Sequence, residues 1–261
     1  MEYKTIEVQS EKDLVTITLN RPDVHNAMNE ELIKELTNCF KRTSADSSVR
    51  IIILTGNGKS FCAGADLHWM KSMVRYSKDE NIKDSRLLLD LYEAIYNCPK
   101  VVIAKVNGHA FGGGLGLIAA CDITIALPDC KFGFTEVKLG IIPSVISTYV
   151  LRRISNISQV RRLFITGEHF SSDYAERIGL IDFLVPHEEI DLKIQKYVSI
   201  LRSSGPKAII EVKYLLNEFE KNAIIAYKEH TVNKIAELRA SSEGQEGINA
   251  FLEKRKSTWS E

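Results

Sequence analysis

Two apolar runs punctuate the first half of the chain, Ile51-Ile52-Ile53-Leu54 after Arg50 and Val101-Val102-Ile103-Ala104 ahead of Lys105 and Val106. Both are short, β-branched and unbroken, the pattern of strands buried on both faces of a parallel sheet. Residues 6–8 and 14–19 read as two antiparallel strands, the second alternating as Val15-Thr16-Ile17-Thr18-Leu19. Elsewhere the period is helical. Residues 30–42 put Leu32, Leu36, Cys39 and Phe40 on one face behind a capping Asn29. Residues 72–97 turn Leu87, Leu88, Leu91, Ala94 and Ile95 inward, with a charged, more exposed first half. The proline-free stretch 115–120 predicts a buried helix that starts at Gly112-Gly113-Gly114. Two short helices are expected over 158–166 and 172–179 and a strand over 180–185. Three helices then follow. The first starts at Pro206 with Ala208, Val212, Leu215, Leu216 and Phe219 inward, the second covers 223–240, and the third begins at Ser242 with a capping box to Gln245. The pattern describes one α/β domain with an α-helical C-terminal extension.

Each buried strand runs into a turn of small residues: Gly56-Asn57-Gly58 and then Phe61-Cys62-Ala63-Gly64-Ala65-Asp66-Leu67 after the first, Asn107 to Gly114 after the second. If the strands are parallel neighbours, both turns lie at one sheet edge. Backbone N–H groups near Ala65 and near Gly113 then converge on one oxygen, because a helix start has unpartnered N–H groups and glycine admits close approach. Such a donor pair serves a reaction that places negative charge on a carbonyl oxygen. The substrate is therefore a carbonyl compound activated at its α-carbon, and Glu136, among Phe132, Phe134, Val137 and Leu139, is the matching acid/base.

Structural readings stand beside these. Glycines before an apolar helix serve close packing, a lone glutamate is usually exposed, and Asp66 and His68 suit a helix cap and an ordinary surface side chain. Packing, however, does not require two such turns. Gly114-Leu115-Gly116-Leu117-Ile118-Ala119 also fits the G-x-G-x-x-A form of a dinucleotide-binding turn, although it lies mid-chain and leaves residues 61–67 unexplained.

Composition narrows the classes. The chain has 261 residues, 44% of them hydrophobic, and 34 Lys+Arg against 34 Asp+Glu, which fits a soluble globular protein and makes nucleic acid a poor partner. No apolar run reaches the ~20 residues of a bilayer span, and the start MEYKTIEVQSEKDL lacks secretory or transit character, so a cytoplasmic protein without membrane contact is expected. The cysteines at 39, 62, 98, 121 and 130 form no C-x-x-C pair and the histidines are dispersed, so neither a disulfide framework nor a metal site is expected.

Taken as a set, Asn20-Arg21-Pro22 with Asn26-Ala27, Phe61 to Leu67, Gly108 to Gly114, Cys121-Asp122 and Phe132 to Pro143 resemble the crotonase or enoyl-CoA hydratase/isomerase superfamily over nearly the whole chain. The resemblance implies a spiral of ββα units over residues 1–200, a helical trimerisation region over 201–261, and a homotrimer or homohexamer. It also implies an acyl-CoA thioester substrate, with CoA entering as part of the substrate and no separate cofactor. Carried over residue by residue, the oxyanion hole falls on the amides of Ala65 and Gly113 and the acid/base on Glu136. The acyl-CoA contacts fall on Ala65, Asp66, Leu67 and His68, the adenine-side contacts on Val24, His25 and Ala27, and contacts from the terminal helix to CoA bound to a neighbouring subunit on Phe251 and Lys254. The first of the two glutamates of the family's hydratases falls on Gly116, which brings single-glutamate Δ3,Δ2-isomerases and non-catalytic acyl-CoA- or RNA-binding relatives into consideration. The segments 66–70, 113–117 and 142–150 resemble bacterial methylglutaconyl-CoA hydratases, which act in leucine breakdown, or the related carboxygeranoyl-CoA enzymes. Their substrates carry a second carboxylate, able to orient water itself or to pair with Lys71, Arg75 or Lys138.

Overall fold

The computed structural model describes residues 3–256 and 258, and within the last long helix it excludes the side chains of residues 218–227 and 230. Strands β1 (Ile6–Glu11) and β2 (Leu14–Leu19) form an antiparallel pair that leads into helix α1 (Glu30–Ala45). Asn29 caps α1 by accepting from the Leu32 N–H at 2.9 Å, and Leu32, Leu36, Cys39 and Phe40 are buried, as the period requires.

From there the chain repeats a unit of long strand, short strand and helix. Strand β3 (Ile51–Gly56) is followed by β4 (Ser60–Cys62), α2 (Leu67–Met73) and α3 (Lys78–Tyr96). Strand β5 (Val101–Val106) is followed by β6 (His109–Phe111) and α4 (Gly113–Ala119). Strand β7 (Ile123–Ala126) is followed by β8 (Lys131–Gly133), a 3-10 turn at Thr135–Leu139, α5 (Ser144–Arg153) and α6 (Ile157–Thr166). Then come β9 (His169–Ser171), α7 (Ser172–Arg177), β10 (Phe183–Leu184), α8 (Ile190–Ser203), α9 (Pro206–Ala240) and α10 (Ser242–Leu252). The long strands join a six-stranded sheet in the order β1-β2-β3-β5-β7-β10, and the short ones a four-stranded sheet, β4-β6-β8-β9. Each unit thus adds one parallel strand to each sheet, β3, β5 and β7 to the first and β4, β6 and β8 to the second, and the backbone climbs as a spiral of ββα turns.

The unbroken apolar runs are explained by what covers them. One face of the large sheet, with Ile52, Leu54, Val102 and Ala104, packs into the main core against α1 and α3. The other, with Ile51, Ile53, Val101 and Ile103, packs on Ile190, Ile194 and Val198 of α8.

Several local expectations are corrected. The short strands were not anticipated: β4 and β6 lie in segments read as turns and β8 and β9 were assigned no element, because three residues are too few to display a period. The helix expected over 72–97 is two helices, restarted at Ser77, which forms a capping box with Glu80. The strand over 180–185 shrinks to Phe183–Leu184. The last three helices are two, since α9 runs unbroken from Pro206 to Ala240. Ser241 rather than Ser242 caps α10, by accepting from the Gly244 N–H. Val212, Leu215 and Leu216 are exposed in this chain instead of inward, and the side chain of Phe219 lies outside the described residues. Gly114 and Gly116 sit inside α4 as packing contacts, so the dinucleotide-type match is not a phosphate loop. No helix among the described residues is long and apolar enough to cross a membrane. All five cysteines are free and buried.

Candidate active site

The loop before α1 forms one side of the site. His25 and Asn26 adopt left-handed backbone conformations (φ 54° and 55°), which a small amide side chain tolerates when it bonds locally. Asn26 is fully buried; its Nδ2 donates to the carbonyls of Asn57 and Ser60, both at 2.8 Å, and its Oδ1 accepts from the Arg21 N–H at 2.9 Å. Arg21 donates through Nη1 to the Ala27 carbonyl and through Nη2 to Asp66 Oδ2 at 2.9 Å. Asp66 also caps α2, with Oδ1 accepting from the N–H groups of His68 and Trp69. Its carboxylate is thus fully engaged, and burial, which pushes its pKa up, is outweighed by these donors, which hold it below the usual range.

The two turns leave the same edge. β3 pairs with β5 in parallel and β4 with β6, so the chain emerges side by side after Cys62 and after Phe111. The backbones then nearly touch: a Cβ on Gly64 would lie 3.0 Å from the Phe111 carbonyl oxygen. At Ala65 the direction of the amide follows from its neighbours. Met28 N–H donates to the Gly64 carbonyl at 2.7 Å and Asp66 N–H to the Met28 carbonyl at 2.8 Å, a parallel bridge in which Ala65 points its own N–H to the opposite side. Gly113 opens α4, where no intrahelical acceptor exists for its N–H. Neither amide has an acceptor among the described residues.

Glu136 comes from the 3-10 turn after β8, and its Oε1 lies over Gly112, 3.4 Å from where a Cβ there would stand. Its Oε2 is buried without a hydrogen-bond partner, and burial raises its pKa from 4.5 to about 7 against a weaker opposing backbone hydrogen bond. At Gly116 the surroundings are closed: a Cβ would lie 2.5 Å from Ile146 Cγ2 and 2.7 Å from the Tyr92 ring, while Tyr92 Oη donates to the Gly113 carbonyl at 2.8 Å.

A cavity of about 570 Å³ gathers Val24, His25, Ala27, Ala65, Asp66, Leu67, His68, Gly113, Glu136 and Phe251 in its lining. Lys254 lies outside that lining, exposed and with a left-handed backbone at φ 55°. Of the three cations proposed for a second carboxylate, Lys138 lines the cavity, whereas Lys71 and Arg75 are exposed away from it. Sequence reasoning missed the cation that is enclosed there, Arg239, and its partner Asp84. The signal was available: Arg239 continues the buried stripe Val232, Ile235, Ala236 of α9, and Asp84 interrupts the inward face of α3.

The enoyl-CoA hydratase/isomerase family model matches residues 9–261. The chain is 34% identical over 99% of both chains to a crotonyl-CoA hydratase of Syntrophomonas wolfei, and 31% identical over 95% of both chains to a 2,3-dehydroadipyl-CoA hydratase of Escherichia coli. It superposes on a crystal structure of an enoyl-CoA hydratase from Shewanella pealeana with a TM-score of 0.81, at 36% identity and with 99% of this chain and 97% of that one covered. A spiral of ββα turns, two adjoining glycine turns and a match over nearly the whole chain agree, and the chain belongs to the enoyl-CoA hydratase/isomerase family, the crotonase superfamily.

Proposed function

We propose that this enoyl-CoA hydratase of the crotonase superfamily acts on a β-methyl enoyl-CoA that carries a second carboxylate, a 3-methylglutaconyl-CoA-like thioester, as in leucine or isoprenoid breakdown. The observation that carries the catalytic part is a Glu136 carboxyl with one buried, unpartnered oxygen beside two amides without acceptors. The thioester oxygen accepts from the N–H groups of Ala65 and Gly113, which stabilise the enolate; each donor of this kind is worth ~10²–10³ in rate.

Packing at Gly116 leaves no place for a second glutamate, and of the other carboxylates in the lining Asp66 is engaged and Asp23 is exposed. Both proton transfers therefore pass through Glu136. Ionised Glu136 takes a proton from water as the water oxygen bonds to the β-carbon, and the π electrons move onto the thioester oxygen. The enolate then collapses and its α-carbon takes the proton from Glu136, which ends ionised as it began. Val24, His25, Ala27, Leu67, His68 and Phe251 hold the CoA moiety. The exposed Val212, Leu215 and Leu216 of α9 supply an apolar face for the trimer or hexamer that the family implies.

The closed Gly116 site also favours a second reading, a Δ3,Δ2-isomerase in which the same carboxylate shuttles one proton and water does not add. Incubating wild type and Glu136→Gln with 3-methylglutaconyl-CoA and crotonyl-CoA in labelled water separates the two. Hydration of the first substrate that is lost in the variant supports the proposal. Exchange or double-bond migration without hydration makes the protein an isomerase, and activity that survives Glu136→Gln removes Glu136 from the mechanism.

A further inference from the structure

Arg239 lies on the wall of the cavity that α2, α3 and α9 build, beside Trp69, Met73, Leu88 and Ile235. Its side chain is 8% exposed, yet only one of its three nitrogens is partnered among the described residues. Nη1 donates to Asp84 Oδ2 at 2.7 Å and more distantly to Ser85 Oγ, while Asp84 Oδ1 accepts from Trp69 Nε1 at 3.0 Å. The backbone is pinned as well, since Gln245 Nε2 donates to the Arg239 carbonyl at 2.7 Å. Nη2 has no acceptor and is not enclosed, whereas Nε is enclosed by the protein without one. A guanidinium nitrogen with unpaired N–H groups matches an oxygen of a carboxylate. A buried donor left unsatisfied costs about 1–3 kcal/mol, more when charged, so an unpartnered Nη2 held rigid at a cavity wall points to a ligand that completes it.

We infer that Arg239 is a specificity-determining residue whose unpartnered Nη2 receives a second carboxylate on the acyl group, with Asp84 and Trp69 orienting the guanidinium from behind. The inference rests on the reading of this cavity as an acyl-CoA site. It selects dicarboxylic acyl-CoA thioesters over monocarboxylic ones of equal length, because a methyl group leaves Nη2 unpaired while a carboxylate accepts from it.

The test uses glutaryl-CoA and pentanoyl-CoA, which differ in a terminal carboxylate against a methyl group and lack the double bond, so binding is read without turnover. Calorimetry on the wild type should show glutaryl-CoA bound about 10- to 100-fold more tightly, the worth of a hydrogen bond between charged groups. Arg239→Lys keeps a cation against Asp84 but has no second nitrogen to offer, and should bring the ratio close to one. The double variant Asp84→Asn/Arg239→Gln, which strands no charge, should do the same and guards against misfolding of the single variant. A wild-type ratio near one, or a preference that persists in both variants, overturns the inference. Hydration of crotonyl-CoA measured in parallel tests the reaction separately. Hydration without the preference removes only the role of Arg239, the preference without hydration removes only the hydratase reading, and binding of neither thioester removes both.

Discussion

Glu136 lines the cavity and Asp84 stands behind Arg239 on its wall, and the two carboxyls are treated in opposite ways. Burial is the leading cause that raises the pKa of both. Asp84 is then given the Arg239 guanidinium and the Trp69 indole N–H, which pull against burial and lock its geometry. Glu136 is given no side-chain donor, and its carboxyl sits near neutrality, able to take and release a proton at working pH. A charge fixed by partners positions other groups, whereas a charge left without them is free to titrate.

The sharpest break of this contrast is Glu136→Gln, which keeps the shape of the side chain and removes the proton carrier. Its kcat/KM for an enoyl-CoA should fall ~10²–10⁴-fold with the circular dichroism spectrum unchanged. Arg239→Ala attacks the other half. It strands Asp84 as a buried, unpaired charge and should lower unfolding free energy by about 3–5 kcal/mol in denaturant titrations, while Asp84→Asn in the same background restores much of it.

The pH dependence separates the two carboxyls further. The folded pKa of Glu136 lies above its ordinary value, so the native state retains a proton that the unfolded chain releases between pH 4.5 and about 7. Stability therefore falls as pH rises through that window, by about 3 kcal/mol at most, and stays level above it. Glu136→Gln should lack this decline and be the more stable protein at pH 8. Because the ionised form starts the reaction, wild-type kcat/KM should drop about tenfold per pH unit below 7, and a flat profile from pH 5 to 8 would refute the assignment. The smallest effect is expected at Gly116→Ala, where the added methyl meets Tyr92 and Ile146 at 2.5–2.9 Å; overpacking of this kind costs about 1–3 kcal/mol, read as a lower melting temperature.

Much of this was legible before folding. The strands at 51–56 and 101–106 declared themselves because each is buried on both faces, and Asn29 announced its helix because a cap acts within three residues. Glu136 was legible through its apolar neighbours and the glycine turns through their repetition. The short strands of the second sheet were not, since a three-residue strand is defined by its partners: Lys131, Phe132 and Gly133 are a strand only because β6 and β9 flank them. Val212, Leu215 and Leu216 showed that an apolar face exists without showing whether this chain covers it.

By itself, then, the sequence determined the long strands of the large sheet, the motifs of the family and the apolar setting of Glu136, because these rest on local period, on short motifs and on residues next to one another in the chain. Tertiary structure alone decided that Gly116 is filled by Tyr92 and Ile146, and that Arg239 keeps an unpartnered nitrogen at the cavity wall. Asp84 and Arg239 are 155 residues apart in the chain, and a hydrogen-bonding edge is free or taken only once every neighbour has been placed around it.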